Sequence, residues 1–300
     1  MKREREIYIV TGAGSIVNVV LFAFKLIAGI LGKSSAMIAD AVHSLSDLLT
    51  DIIIIVFVKL STKPADKTHS YGHGKFETLA TLLVAIILIL VGIGIMVDGG
   101  DKIIKIISGE NLPKPRMIAL WAAIISILLK EILFRWTLSE GKKLGSSAVI
   151  ANAWHHRSDS LSSFGTALGI GGAILFGGKW VILDPIAAIF VSFFILKVGI
   201  DIMKPCADEL LERALPEAVR KEIVTSVHSV PGVIKTKRLM TRRIGMRYAI
   251  EFELFLDAGL TLGEACDKCN EIEGVLKRKF GRNTHVGIRL KTEKNDKKFN

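Results

Sequence analysis

The sequence predicts an α-helical membrane protein: six transmembrane helices followed by a small α+β domain of the open ferredoxin-like kind. Three observations carry this. Half of the 300 residues are hydrophobic and the mean hydropathy is +0.44, too apolar for an ordinary soluble chain of this size. Six segments approach or exceed the roughly 20 apolar residues that a helix needs to cross the hydrocarbon core. Beyond residue 208 the pattern changes to amphipathic helices and short alternating strands. A net charge of +11 on so apolar a chain fits basic loops beside a membrane better than nucleic-acid binding. The three cysteines, Cys206, Cys266 and Cys269, outline no disulfide framework and are compatible with a reducing compartment.

The spans are expected near 7–31, 35–60, 76–98, 116–138, 147–176 and 181–203. Lys2, Arg3 and Arg5 precede an apolar run that lacks a small-residue cleavage site and is too long for a signal-peptide core, so it reads as a retained span. The first and third read as ordinary hydrophobic spans; the second, fifth and sixth carry ionisable residues. Lys63, Lys67 and Lys75 in the connection 61–75, and Lys142 and Lys143 in 139–146, belong with the basic N-terminus on the cytoplasmic side. Both termini of this multi-pass cell-membrane protein then face the cytoplasm, and 32–34, 99–115 and 177–180 face out.

In the C-terminal part, Pro216 precedes an amphipathic helix over 217–228, and Val230-Pro231-Gly232 is a turn. Strands are expected over 233–241, 248–256 and 284–290. In the second, Tyr248, Ile250, Phe252, Leu254 and Leu256 point one way, and Ala249, Glu251, Glu253 and Phe255 the other. A helix over 261–279 has Thr261 as N-cap with Glu264 three residues on. The order αββαβ implies an open-faced sheet covered on one side by two helices. The domains are therefore a transmembrane domain over 1–207, a cytoplasmic domain over 208–291 and a charged, disordered tail over 292–300.

The second and fifth spans repeat each other. Ser34-Ser-Ala-Met-Ile-Ala-Asp-Ala-Val-His-Ser-Leu-Ser-Asp47 aligns without gaps on Ser146-Ser-Ala-Val-Ile-Ala-Asn-Ala-Trp-His-His-Arg-Ser-Asp159. His43 matches His155, and Asp47 matches Asp159. Residues i and i+4 share a helix face, so each pair presents an imidazole and a carboxylate together. At about 1.5 Å rise per residue the pairs lie roughly 12–20 Å from the entry ends of their spans, near mid-membrane. Ionisable groups there must pair, face water or bind an ion. Two imidazoles and two carboxylates make an N2O2 shell suited to Zn(II), with Co(II), Fe(II), Cd(II) or Mn(II) also accommodated. The other reading, an internal His–Asp hydrogen bond tying helices together, loses ground because the pair is repeated. His156 sits on another helix face and reads as a packing residue or a support for the neighbouring ligands rather than as a ligand. Asp51 continues the His43/Asp47 face, either as an ion guide or as a solvated helix-end carboxylate. Asn18, Asp40 and Asp184 are inter-helix hydrogen-bond partners or path-lining groups. In the following loop, Asp66, His69 and His73 can converge on one cation, with glycines letting the backbone bend.

These residues resemble the cation diffusion facilitator family, the zinc-transporter-like proton-coupled metal exporters. The SSAMIADAVHSLSD and SSAVIANAWHHRSD segments, the HSYGHGK loop and the compact tail domain carry the likeness over most of the chain. The resemblance implies a homodimer, embedded in membrane lipids, that exports a divalent cation in exchange for protons and holds no permanent cofactor. It assigns His43, Asp47, His155 and Asp159 to the transport site and Asp66, His69 and His73 to a second, more exposed one. It also pairs Lys75 at the membrane–cytoplasm junction with Glu212 across the dimer. One departure stands out. Where relatives use histidines and an aspartate to bind metal in the cytoplasmic domain, this chain offers Lys237, Phe252, Cys266, Arg289 and Lys291, and three cations there repel a metal. The usual cytoplasmic site is therefore expected to be missing. Cys266 and Cys269, at i and i+3 on a helix, are a residual metal candidate, and His228 and His285 read as surface residues. A membrane metalloenzyme would need an HExxH-like helix, which the sequence lacks, and a tethered sensor would need ligands in the tail domain, where they are scarce.

Overall fold

The structure, a computed structural model, describes residues 2–61, 63, 65–110, 112–143, 147–245 and 247–292, with side chains for these except 2–11, 47, 50–61, 147–148 and 151. The charged tail beyond residue 292 lies outside the described residues. The chain divides into two compact units, Met1–Ile55 with Leu83–Met203, and Val56–Leu82 with Lys204–Asn300.

Six long helices account for the apolar part of the sequence: α1 (Lys2–Leu31), α2 (Ser35–Ser61), α3 (Gly74–Ile107), α4 (Met117–Lys143), α5 (Ser147–Phe176) and α6 (Leu183–Leu210), with a short 3-10 turn over Gly178–Ile182. Among the described residues, α1, α3, α4 and α6 contain stretches long and apolar enough to cross a bilayer. At 27 and 30 residues α2 and α5 have the length as well, but they carry the ionisable pairs. The apolar side chains of α3 and α5, such as Leu90, Val97, Leu161, Leu168 and Leu175, remain exposed, which suits a surface bathed by lipid rather than water.

In the first unit the helices meet through small residues. Ala28, Ala36, Ala119, Ala122, Ala123 and Ala187 are buried together with Met37 and Ile170 where α1, α2, α4, α5 and α6 converge. Small side chains let helix backbones approach closely, which is how helices associate without a hydrophobic drive between them. Gly169 shows how tight this is: a Cβ placed there would come within 2.4 Å of the Ala187 Cβ. The start of α2 is fixed by capping. Ser34 Oγ accepts from the Met37 amide and donates to Asp184 of α6, whose other oxygen accepts from the Ser35 amide at 2.7 Å. Asp184 thus serves as an inter-helix anchor.

In the second unit, α7 (Glu217–His228), β1 (Lys235–Ile244), β2 (Arg247–Phe255), α8 (Leu262–Phe280) and β3 (His285–Lys291) reproduce the expected αββαβ order. The sheet order is β1-β2-β3, with β1 and β2 antiparallel and β2 and β3 parallel. Ile250, Phe252, Leu254 and Leu256 pack on Ile223 and Val227 of α7 and on Ile272 and Leu276 of α8. Thr261 and Glu264 form the reciprocal capping box that starts α8. The sheet face away from the helices is less open than expected. Phe255 is 1% exposed and Glu253 8% exposed, although both point away from the core. The ammonium groups of Lys235 and Lys237 lie 4.7 and 5.7 Å from the Phe255 ring centre, and Arg238 and Arg289 flank Glu253 at 3.5 and 3.9 Å. Long cationic side chains cover apolar surface with their stems while their heads stay in water.

Replacing Gly169 by Val should cost about 1–3 kcal/mol through overpacking against Ala187. The expected readout is a lower melting temperature of the detergent-solubilised protein, whereas Gly165→Val, where the nearest atom to an added Cβ is 3.9 Å away, should melt close to the parent.

Candidate metal sites

The clearest ligand cluster among the described residues lies in the α2–α3 loop. Asp66, His69 and His73 place one ligand atom each within 4.8 Å of one another. Their convergence follows from the loop's own hydrogen bonds. Asp66 Oδ1 accepts from the Thr68 amide, the Thr68 hydroxyl and the His69 amide at 2.7–2.8 Å, folding the chain back on itself. Gly72, at φ +79°, then lets its amide reach the His69 carbonyl and turns the chain toward α3. Asp66 Oδ2 is left facing His73 Nε2 at 3.4 Å. The two imidazole rings lie 4.6 Å apart, and Phe76 stacks against His73. The Thr68 hydroxyl and the two backbone amides hold the Asp66 carboxyl down to about 2. The loop therefore offers a carboxylate oxygen and two imidazole nitrogens.

Beside it, Glu212 accepts from Lys75 through one oxygen and from Arg242 of β1 through the other, the latter at 2.8 Å. The Lys75 hydrogen bond, seconded by Arg242, holds its carboxyl below the usual range. Glu212 sits at φ +60°, a conformation costly for a non-glycine residue, and two cations grip its side chain there. The two residues expected to pair, Lys75 and Glu212, thus meet within the chain itself. One turn earlier, Glu209 accepts from Thr78 and from the Gly245 amide, so the end of α6 holds both the start of α3 and the β1–β2 turn.

The repeated helices place their residues differently. His43 is half-buried on α2, and its buried Nδ1 has no hydrogen-bond partner among the described residues. The side chains of Asp47 and Asp51 lie outside the described residues. On α5, Asp159 is buried and the His155 ring is 53% exposed, with Nε2 at 3.9 Å from Asp159 Oδ1, beyond hydrogen-bonding reach. Asp159 Oδ2 instead accepts from Lys130 of α4 at 2.7 Å. Asp40 is buried against Lys25 of α1 at 2.8 Å, and Ser163 donates to its carboxylate. Asn18 is buried, its Oδ1 without a hydrogen-bond partner among the described residues. His156 is buried beside Gly14 of α1.

Two lysines thus stand in spans for which the sequence reading named no ionisable residue, Lys25 in the first and Lys130 in the fourth. Lys25 and Lys130 are each 1% exposed, and each neutralises an aspartate of another helix. A lone lysine in mid-span was the available signal, since a buried ammonium demands an anion.

Residues 13–211 match the model of the cation efflux transmembrane domain, and residues 215–292 that of the cation efflux protein cytoplasmic domain. The chain belongs to the cation efflux family. It is a cation diffusion facilitator, a multi-pass membrane protein of a transporter family, as the paired motifs implied. The manganese efflux system protein MneP of Bacillus subtilis is 32% identical over 88% of this chain and 89% of its own length. Metal tolerance protein C1 of Arabidopsis thaliana is 35% identical over 81% of this chain, which spans 54% of that longer protein. Magnetosome protein MamM of Magnetospirillum gryphiswaldense is 30% identical over 90% of this chain and 83% of its own.

In the α+β domain, Phe252 belongs to the core, and Arg289 lies against Glu253. Cys266 is exposed while Cys269 packs against the core. Burial pushes the Cys269 thiol up, which opposes the thiolate that metal binding requires.

Asp66→Asn should weaken Zn(II) binding at the loop by about tenfold or more, read by calorimetric titration. The depressed Asp66 carboxyl contributes its charge at every pH above about 2 and loses it only as pH falls through that value. Mild acidification that stays well above pH 2 should therefore leave the Asp66 charge in place, and the Asn variant should bind metal more weakly at every such pH.

Proposed function

We propose that this cation efflux protein exports a divalent transition-metal ion in exchange for protons, using His43, Asp47, His155 and Asp159 as the ligands of one transport site. The observation that carries the reading is the gapless repeat of a His-x-x-x-Asp pair on α2 and α5 of a cation efflux transmembrane domain. Repeats in transporters place their substrate site where they meet, and ionisable residues inside a membrane mark ion pathways. Metal ligands must be deprotonated, so metal and protons compete for the same groups, and histidine suits that exchange near neutral pH. The cycle is alternating access: the site takes the ion from one side, rocks, and releases it as protons return. Basic loops place the termini and the α+β domain in the cytoplasm. That domain pairs two copies into a homodimer, and the Asp66, His69 and His73 loop is a second metal site.

The donor set, two imidazoles with two carboxylates, favours Zn(II). Mn(II) is the second reading, supported by the relative named as a manganese efflux system protein. Fe(II), Co(II) and Cd(II) fit the same donors less selectively.

Reconstituted vesicles with a pH gradient should take up metal and move protons in the opposite sense, tested in turn with Zn(II), Mn(II), Fe(II), Co(II) and Cd(II). Asp47→Ala and Asp159→Ala should abolish both fluxes. Persistent uptake in either variant removes that carboxylate from the site, and uptake indifferent to the gradient removes the exchange.

A further inference from the structure

We infer that Lys130 is a tethered competitor for the metal: its ammonium occupies Asp159 in the empty transporter, leaves when the ion arrives, and returns to help expel it. The inference rests on the assignment of Asp159 to the transport site.

The two buried lysines of the membrane unit differ in a way that gives them different jobs. The Lys25 ammonium has three acceptors, Asp40 at 2.8 Å, Ser44 at 3.1 Å and Ser163 at 3.0 Å. Its three N–H donors are all used, and Ser163 also braces the Asp40 carboxylate, so this pair joins α1, α2 and α5 as a fixed clamp. Lys130 is as deeply buried, yet among the described residues Asp159 is the one partner of its ammonium. A buried cation held by a single bond is the one that another cation displaces at the lower cost.

The geometry of Asp159 fits an exchange. One oxygen accepts from Lys130, and the other faces the His155 ring at 3.9 Å, too far for a hydrogen bond. An ion between that oxygen and the imidazole would share the carboxylate with an ammonium already bonded to it. Two cations on one carboxylate repel strongly in a low-dielectric interior, so arrival of the metal drives Lys130 off. Lysine suits this role, being a point charge on a flexible four-carbon stem. While the site is empty, Asp159 is neutralised without a bound ion, which lowers the cost of an unloaded carboxylate inside the membrane. When Lys130 swings back it replaces the metal's charge and hastens release. Tight binding is given up for turnover.

The test uses the full-length protein in detergent and in vesicles, with Mn(II) and Zn(II) as probes. Lys130→Gln should bind metal about tenfold or more tightly than the parent, with a lower KM and slower maximal transport, because the internal competitor is gone. Lys130→Arg, which restores a cation, should return affinity toward the parent. A Lys130→Gln protein that folds and binds metal with unchanged or weaker affinity overturns the inference. Should that variant not fold, modification of Lys130 by an amine-reactive reagent in the parent protein decides: metal should increase it, and unchanged modification sinks the proposal. Asp159→Asn separates the two failures. If it binds metal like the parent, the transport-site assignment falls; if it loses metal while Lys130→Gln is unaltered, only the competition falls.

Discussion

The constraint on which the membrane unit depends is the cost of a charge away from water. Each buried aspartate described in α2, α5 and α6 has found a donor on another helix. Asp40 has Lys25, Asp159 has Lys130, and Asp184 has the capped start of α2. These bonds bind α1, α2, α4, α5 and α6 to one another, and small residues let the helices approach closely enough to form them. Lysines of α1 and α4 neutralise two of these aspartates, and hydroxyl and amide donors at the start of α2 hold the third.

The second unit solves a different problem. Its charges meet water, and they order a loop and a junction rather than a core. Asp66 folds its loop by accepting three hydrogen bonds through one oxygen, which leaves the other available. Glu209 and Glu212 at the end of α6 hold the beginning of α3 and the β1–β2 turn through both carboxylates. The α+β domain has its own apolar core, and cationic stems cover the outer face of β2.

Much of this was legible in the sequence because it depends on local pattern. The six long helices follow from apolar length, the αββαβ order from alternation and caps, and the Thr261/Glu264 box from a spacing of three. The gathering of Asp66, His69 and His73 was legible too, since the loop is short and its turn residues speak for themselves. What escaped depends on residues far apart in the chain. Lys130 and Asp159 are 29 positions apart and Lys25 and Asp40 are 15, so no periodicity links them, and single lysines vanish in windows averaged for hydropathy. For Asp184 the sequence left two readings open, inter-helix partner or path-lining group, and the bonds from Ser34 and Ser35 show the first. The attraction between Lys75 and Glu212 was legible, and the structure shows that the two can meet within one chain.

The Asp184 anchor has a mechanical meaning. It fixes one end of α2 to α6 by hydrogen bonds at Ser34 and Ser35, which an axial slide would break but a tilt would keep. The helix is therefore a lever with its fulcrum at that end. His43 stands eight residues along it and Asp47 twelve, about 12 and 18 Å from the fulcrum, so a 10° swing carries them about 2 and 3 Å. Displacements of that size are enough to make or break a polar contact, and the two positions travel unequal distances. A rigid rotation would thus move position 47 farther than position 43.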